Sequence, residues 1–274
     1  MCRFRRNLTS CANFSFLLKH LFLPFSVTRV FCVANQKGGV GKTTTSISLA
    51  DGLAKSGART LLIDLDPQCN ATGGVGFTPV IEHPLVSGRP ISVSVDETRV
   101  TGLDLLAGTR NFSDIEILAH GDKRILDRVR KQLTQEIHGY EYVVIDCPPS
   151  MGQLTQLALE CSSEVLMPIQ CEYFAMEGLV QMIEVIGEVM NRRAGKLEFG
   201  GIVLTMYDHS LELASEVENE VRNFFGEVVF PSVIPRDVAV SEAPSHGLSV
   251  LDYAPRSRGA RAYLELCMEV LERV

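Results

Sequence analysis

No two of the eight cysteines, at positions 2, 11, 32, 69, 147, 161, 171 and 267, stand in a CxxC pair. The six histidines show no ligand spacing either, so a structural zinc or a cluster site is not expected. Several cysteines sit in apolar strand-like runs, which reads as buried, reduced thiols of a cytoplasmic protein. No run of about 20 apolar residues is present, which excludes a conventional membrane-spanning helix. Internal repeats and low-complexity linkers are absent as well. The chain is short of positive charge overall, with 26 Lys and Arg against 33 Asp and Glu and a formal charge of −7. A generally basic, polyanion-coating surface is therefore excluded, although a local basic patch is not. What remains, at 274 residues with 46% hydrophobic and 22% charged, is enough to bury one large core.

The most informative stretch is Lys37-Gly38-Gly39-Val40-Gly41-Lys42-Thr43-Thr44. It follows an apolar, β-branched run from Arg29 to Ala34 and precedes Thr43 to Lys55, where Ile47, Leu49, Ala50, Leu53 and Ala54 suit one helix face. Strand, glycine-rich loop and helix form the context in which GxxxxGK[ST] binds phosphate. Glycines allow successive N–H groups to converge on phosphate oxygens, and the helix N-terminus adds its positive end. Lys42 is then expected on the β and γ phosphates of a bound di- or triphosphate, and the Thr43 hydroxyl on the magnesium ion that accompanies them. Lys37 is surplus to that task and calls for another target.

Two more strands end in acids. Leu61 to Ile63 lead into Asp64-Leu65-Asp66-Pro67, and Tyr142 to Ile145 lead into Asp146, which after a phosphate loop reads as a Walker B strand holding magnesium through a water. Alternation puts Asp64 and Asp66 on the same side. Predicted strands at 29–35, 60–65, 141–146, 164–169, 200–206 and 228–233 alternate with helices. That order implies a doubly wound, mostly parallel α/β sheet with helices on both faces. The segment from Phe77 to Arg99 reads as loop.

The motifs ANQKGGVGKTTT, LLIDLDPQCNAT, YVVIDCPPS, PIQCEYFAMEGL, TMYD and VIPRDV together resemble the deviant Walker A P-loop ATPases of the ParA partition group, from about Val30 to the C-terminus. The resemblance implies an ATP-dependent homodimer with slow hydrolysis, in which Lys37 crosses to the partner's phosphate, much as an arginine finger acts in trans. It further implies that Asp66 directs the attacking water, that Asp64 supports the magnesium shell, and that Pro235 and Asp237 contact adenine. A centromere-binding ParB-like partner and non-specific nucleoid DNA are the implied associates, with Arg236, Arg256, Arg258 and Arg261 as candidate DNA contacts. Arg192, Arg193 and Lys196 form a second basic group. Two departures count against DNA binding: Ser210 and Ala239 stand where several relatives have arginine, and the following helix carries Glu212, Glu216, Glu218 and Glu220. Many relatives also have asparagine where this chain has Asp237. The lack of a CxxC pair disfavours the cluster-bearing branch of the superfamily, and Cys147 reads as a buried structural thiol.

Residues 1–26 fall outside this pattern. They join a basic start to an apolar run broken by Lys19 and His20, and read as an extension that is poorly ordered or not native, with a membrane-surface anchor as the alternative. Residues 27–274 are expected to be the ATPase domain. Two other functions fit parts of the pattern. One is division-site positioning, which would need a membrane-seeking C-terminal helix, yet Ala262 to Val274 carries Glu265, Glu269 and Glu272. The other is an ATP-dependent ligase, for which no substrate-reading constellation is evident. Tyr263, Leu264, Leu266, Met268, Val270 and Leu271 of that last helix are expected to pack on the sheet.

Overall fold

Residues 28–112, 123–172, 175–192 and 196–273 are described by a computed structural model. Short apolar runs make the strands: β1 (Arg29–Val33), β2 (Thr60–Asp64), β3 (Asp96–Glu97), β4 (Leu103–Leu106), β5 (Tyr142–Asp146), β6 (Glu164–Gln170), β7 (Glu198–Tyr207) and β8 (Val229–Pro235). They form one sheet in the order β3-β4-β2-β5-β1-β6-β7-β8, and every pairing is parallel except β3 with β4. Parallel strands joined by helical crossovers must be covered on both faces, and Leu61, Leu62 and Ile63 are accordingly all buried.

The helices divide between the two faces. On one face α1 (Lys42–Lys55), α9 (Val250–Tyr253) and α10 (Arg258–Glu272) share a core with Phe31, Leu62 and Val144. On the other, α4 (Lys123–Gln135), α5 (Gln153–Cys161), α6 (Ala175–Arg192) and α7 (Glu212–Phe225) share a core with Cys32, Ile63 and Ile145. The minor helices α2 (Asn70–Gly74), α3 (Pro84–Ser87) and α8 (Val238–Glu242) lie in connections. The chain order reverses at central β1, with β5 on one side and β6 on the other, and the crevice beyond such a strand's C-terminal end is where open α/β sheets bind ligands.

This is the expected doubly wound architecture, with two differences. The six-strand reading omits β3 and β4. The β4 run Leu-Asp-Leu-Leu is only four residues long between Gly102 and Ala107-Gly108, too short to show a period. Phe77 to Arg99 is largely irregular but contains α3, a 3₁₀ turn at Ile91–Val93 and β3. In α10, Tyr263, Leu266 and Val270 are buried as expected and Leu271 is partly buried, whereas Leu264 and Met268 face solvent, because the six apolar residues span too wide an arc of the helix to point at one sheet together. No disulfide joins the described cysteines, and Cys147 is buried with its Sγ 3.3 Å from Cys32 Sγ. No described helix is long and apolar enough to cross a membrane. Residues 1–26, Arg193, Cys2 and Cys11 lie outside the described residues.

Candidate nucleotide site

The loop after β1 is held from below before it meets any ligand. Asn35 Nδ2 donates to the Pro168 carbonyl at 2.8 Å, and Asn35 Oδ1 accepts from the Lys37 amide at 2.9 Å. Thr205 Oγ1 at the end of β7 donates to the Val40 carbonyl at 2.8 Å. Gly39 and Gly41 have φ of 73° and 87°, a region that strains any residue with a Cβ. Gly41 caps α1 without a side-chain bond, and the first turn carries no acid, so the first N–H groups of α1 are left to an incoming anion.

Lys42 is 6% exposed, and its ammonium makes one hydrogen bond among the described residues, to the Lys37 carbonyl at 2.9 Å. Burial pulls its pKa below the usual lysine range, against the pull of Asp146, Cys147 and Asp66. A buried cation without a directly bonded anion is costly, and a phosphate group supplies what is missing. Lys37 differs. Its side chain is 40% exposed and its ammonium sits 3.0 Å from Glu172 Oε2. Gly38 is exposed, and a Cβ there would make only an ordinary 3.9 Å contact with Pro149.

Asp64 and Asp146 are register partners on β2 and β5, both buried. Asp146 Oδ2 accepts from Thr43 Oγ1 and Oδ1 from Ser46 Oγ, each at 2.9 Å. Burial first, and then neighbouring Asp64, push the Asp146 carboxyl up, against the hydrogen bonds from Thr43 and Ser46. Asp64 is turned away from the loop. Its Oδ2 accepts from the Thr72 amide and hydroxyl at 2.8 and 2.7 Å, and its Oδ1 from the Asp66 amide at 3.1 Å. It thereby braces the turn that presents Asp66. Asp66 lies beyond the end of β2 rather than on it, its Oδ1 accepts from the Gln68 amide at 2.9 Å, and Oδ2 bonds to no described residue.

Nucleotide with magnesium fits this donor set. No group of three or more His, Cys, Asp or Glu among the described residues has metal-ligand spacing. An ion held here must take most of its ligands from phosphate and water, which is how magnesium is usually bound. Ser46, Asn35 and Thr72 are positioning residues the sequence does not reveal, since each works through a partner distant in the chain or one helical turn away.

The end of β7 lies against the phosphate loop, and the end of β8 lies against β7. Tyr207 and Pro235 are register partners, and the Arg236 amide donates to the Tyr207 carbonyl at 2.8 Å. Asp237 is committed by its side chain: Oδ1 accepts from the Ala239 amide at 3.0 Å and Oδ2 from the Gly259 amide at 2.9 Å. Arg236, Arg256, Arg258 and Arg261 are all exposed, and none forms an ion pair with a described residue. The Asp237–Gly259 bond brings the end of β8 to the start of α10, so the residue after Arg236 is bonded to the residue after Arg258. Ser210 is occupied by the turn, with its hydroxyl on Asp208 Oδ1 at 2.6 Å. Arg192 and Lys196 line an open groove with Arg130 and Lys131, where Asp127 and Glu160 dilute the charge.

Comparison with known proteins agrees with this geometry. Residues 28–199 match the family model for an AAA domain. Over 254 residues the chain is 41% identical to the chromosome partitioning protein ParA of Myxococcus xanthus, spanning 90% of this chain and 89% of that protein. It is likewise 41% identical over 249 residues to the sporulation initiation inhibitor protein Soj of Bacillus subtilis, spanning 88% and 98%. A solved structure named cobyrinic acid a,c-diamide synthase from Mycobacterium smegmatis, with bound ADP and magnesium, is similar with a TM-score of 0.77 and 31% identity over 90% of this chain and 95% of that one. With its phosphate loop, paired acids and sheet order in place, the chain belongs to the ParA/Soj family of chromosome-partitioning P-loop ATPases.

Proposed function

We propose that this chain is an ATP-driven switch that pairs with a second copy across bound nucleotide, hydrolyses ATP slowly and acts in chromosome or plasmid partitioning. The observation that carries this reading is the contrast between its two loop lysines. Lys42 is buried and aimed under the cradle, while Lys37 is half-exposed on the outer rim, held among the described residues only by the exposed carboxylate of Glu172. An exposed ion pair is worth about 0–1 kcal/mol, so Lys37 is easily released to a stronger anion. Among the described residues nothing requires glycine at 38, whereas close approach of another backbone would.

In this reading the amides of Gly38 to Thr44, together with Lys42, bind and orient the triphosphate, and Lys37 touches the phosphate of the opposite subunit. Magnesium, when bound with nucleotide, neutralises charge on the β and γ phosphates. Thr43 and Asp146 hold its side of the site, and Asp64 keeps the Asp66 turn in place. Asp66 Oδ2, which bonds to no described residue, aligns the attacking water. Pro235 and the backbone near Asp237 border the base.

The arginine surface supports a DNA contact by the dimer. Arg258 and Arg261 lie in the first turn of α10, where the helix dipole disfavours cations, so stabilising that helix does not explain them. Ser210 and Ala239 remove two cations, and this surface is expected to bind weakly and in a salt-dependent way. A ParB-like protein is the proposed stimulating partner. The test is DNA retention by the full chain with ATP, ADP or no nucleotide at several salt concentrations. Retention is expected with ATP alone, falling steeply with salt, and substitution of Arg258 and Arg261 by glutamate should reduce it about 10-fold or more. Nucleotide-independent retention, or pelleting with anionic vesicles in its place, would contradict the proposal.

A further inference from the structure

Asp237 joins two helix starts, through its own cap and through a bond to Gly259, 22 residues further along the chain. Its Oδ1 caps α8 through the Ala239 amide, and its Oδ2 reaches the Gly259 amide in the first turn of α10. That second bond is not needed to cap α10, because Ser257 Oγ already accepts from the Ala260 amide at 3.1 Å. The junction is also tight. A Cβ on Gly259 would come within 2.2 Å of Val240 Cγ2, so the two helix starts meet only because residue 259 has no side chain.

On one side of this junction lies the phosphate loop. Pro235 pairs with Tyr207, and Thr205, two residues earlier on β7, donates to Val40. On the other side lies the arginine surface: Arg236 precedes Asp237, while Arg256, Arg258 and Arg261 surround Gly259. A carboxylate can accept both amides at once. An asparagine, with one acceptor oxygen, can hold one in this orientation but not both through separate oxygens.

We propose that Asp237 is a positioning residue that couples the nucleotide-side loop to the arginine surface of α10, so that a shift of that loop on ATP binding moves the arginines with it. This rests on the reading that the arginines contact DNA in the ATP state. The carboxylate transmits position because it is bonded to both elements, and Val240 against Gly259 leaves no slack between them.

The experiment compares full-length wild type, G259A, V240A, the double variant G259A/V240A and D237N. For each, duplex DNA affinity is measured with ATP and with ADP, below the unfolding temperature of every variant, and the ATP-to-ADP affinity ratio is the readout. G259A is expected to cut that ratio about 10-fold by forcing the junction apart, since inserting a methyl group into a closed contact displaces its neighbours. V240A should behave as wild type, and the double variant should recover the ratio to within about 3-fold, because the clashing Cγ2 is gone. D237N, which scarcely changes volume, should lower the ratio about 3- to 10-fold through the lost charge-assisted bond. A structural role alone would lower affinity equally with both nucleotides and leave the ratio intact, and that result overturns the coupling. An unchanged ratio in both G259A and D237N overturns it as well. A wild type without ATP-dependent retention defeats the underlying DNA reading instead.

Discussion

Lys42→Ala is expected to lose ATP binding by about 100-fold or more while remaining as stable as wild type in the absence of nucleotide. Most substitutions of buried residues destabilise, but here the side chain removed is a cation whose only described hydrogen bond is to the Lys37 carbonyl. Burial already works against its charge. The unliganded fold therefore gains from its removal the desolvation it no longer bears, and loses the attraction between the ammonium and Asp146. Binding has no such offset, because the alanine variant must hold a triphosphate with backbone amides alone. Thermal melting reads both halves at once. Saturation to 100 times Kd stabilises by about 2.7 kcal/mol, which at about 2–4 °C per kcal/mol for a chain of this size raises the wild-type Tm by about 5–10 °C. The variant should show the wild-type Tm without nucleotide and no rise with it. A normal nucleotide-dependent rise would remove Lys42 from the site.

Asp66→Ala should lower steady-state ATP turnover by about 100-fold or more while nucleotide binding persists. Asp66 has one oxygen fixed by the Gln68 amide and the other bonded to no described residue, at the end of a turn that Asp64 braces. A carboxylate held by one oxygen is well placed to orient a water with the other, and in phosphoryl transfer the alignment of that water is much of what protein side chains provide. The variant should consequently accumulate as a long-lived ATP-bound pair, visible as slow release of labelled nucleotide. Thr72→Val tests the bracing separately: it removes the hydroxyl bonded to Asp64 Oδ2 and should lower turnover less than Asp66→Ala, with little effect on ATP affinity. Turnover near wild type in Asp66→Ala would exclude its proposed role.

The phosphate loop and the Walker B strand were legible because each lies in one contiguous run, where glycine spacing or an acid after four apolar residues carries the chemistry. The six longer strands were legible for the same reason, since buried parallel strands read as unbroken apolar runs. Long-range partners leave no such local trace. Nothing near Asp64 in the sequence indicates that Thr72 will take its carboxylate, and alternation placed Asp64 and Asp66 together on a strand that in fact stops at Asp64. Asp237 reads as a base contact within its own motif, yet its side chain is spent on amides, one of them in α10. Glu172 and Ser46 belong to the same class, reaching Lys37 and Asp146 from far along the chain, and Asn35 does so through its bond to Pro168, although its hold on the Lys37 amide is local.

The central claim is that Lys37 serves a second copy of the chain. Sedimentation velocity of wild type and Lys37→Ala, each with magnesium and a slowly hydrolysed ATP analogue at concentrations that saturate both proteins, tests it most directly. Wild type is expected to sediment as a dimer with the analogue and as a monomer with ADP, while Lys37→Ala binds the analogue and stays monomeric. A Lys37→Ala protein that dimerises as wild type does would contradict the account.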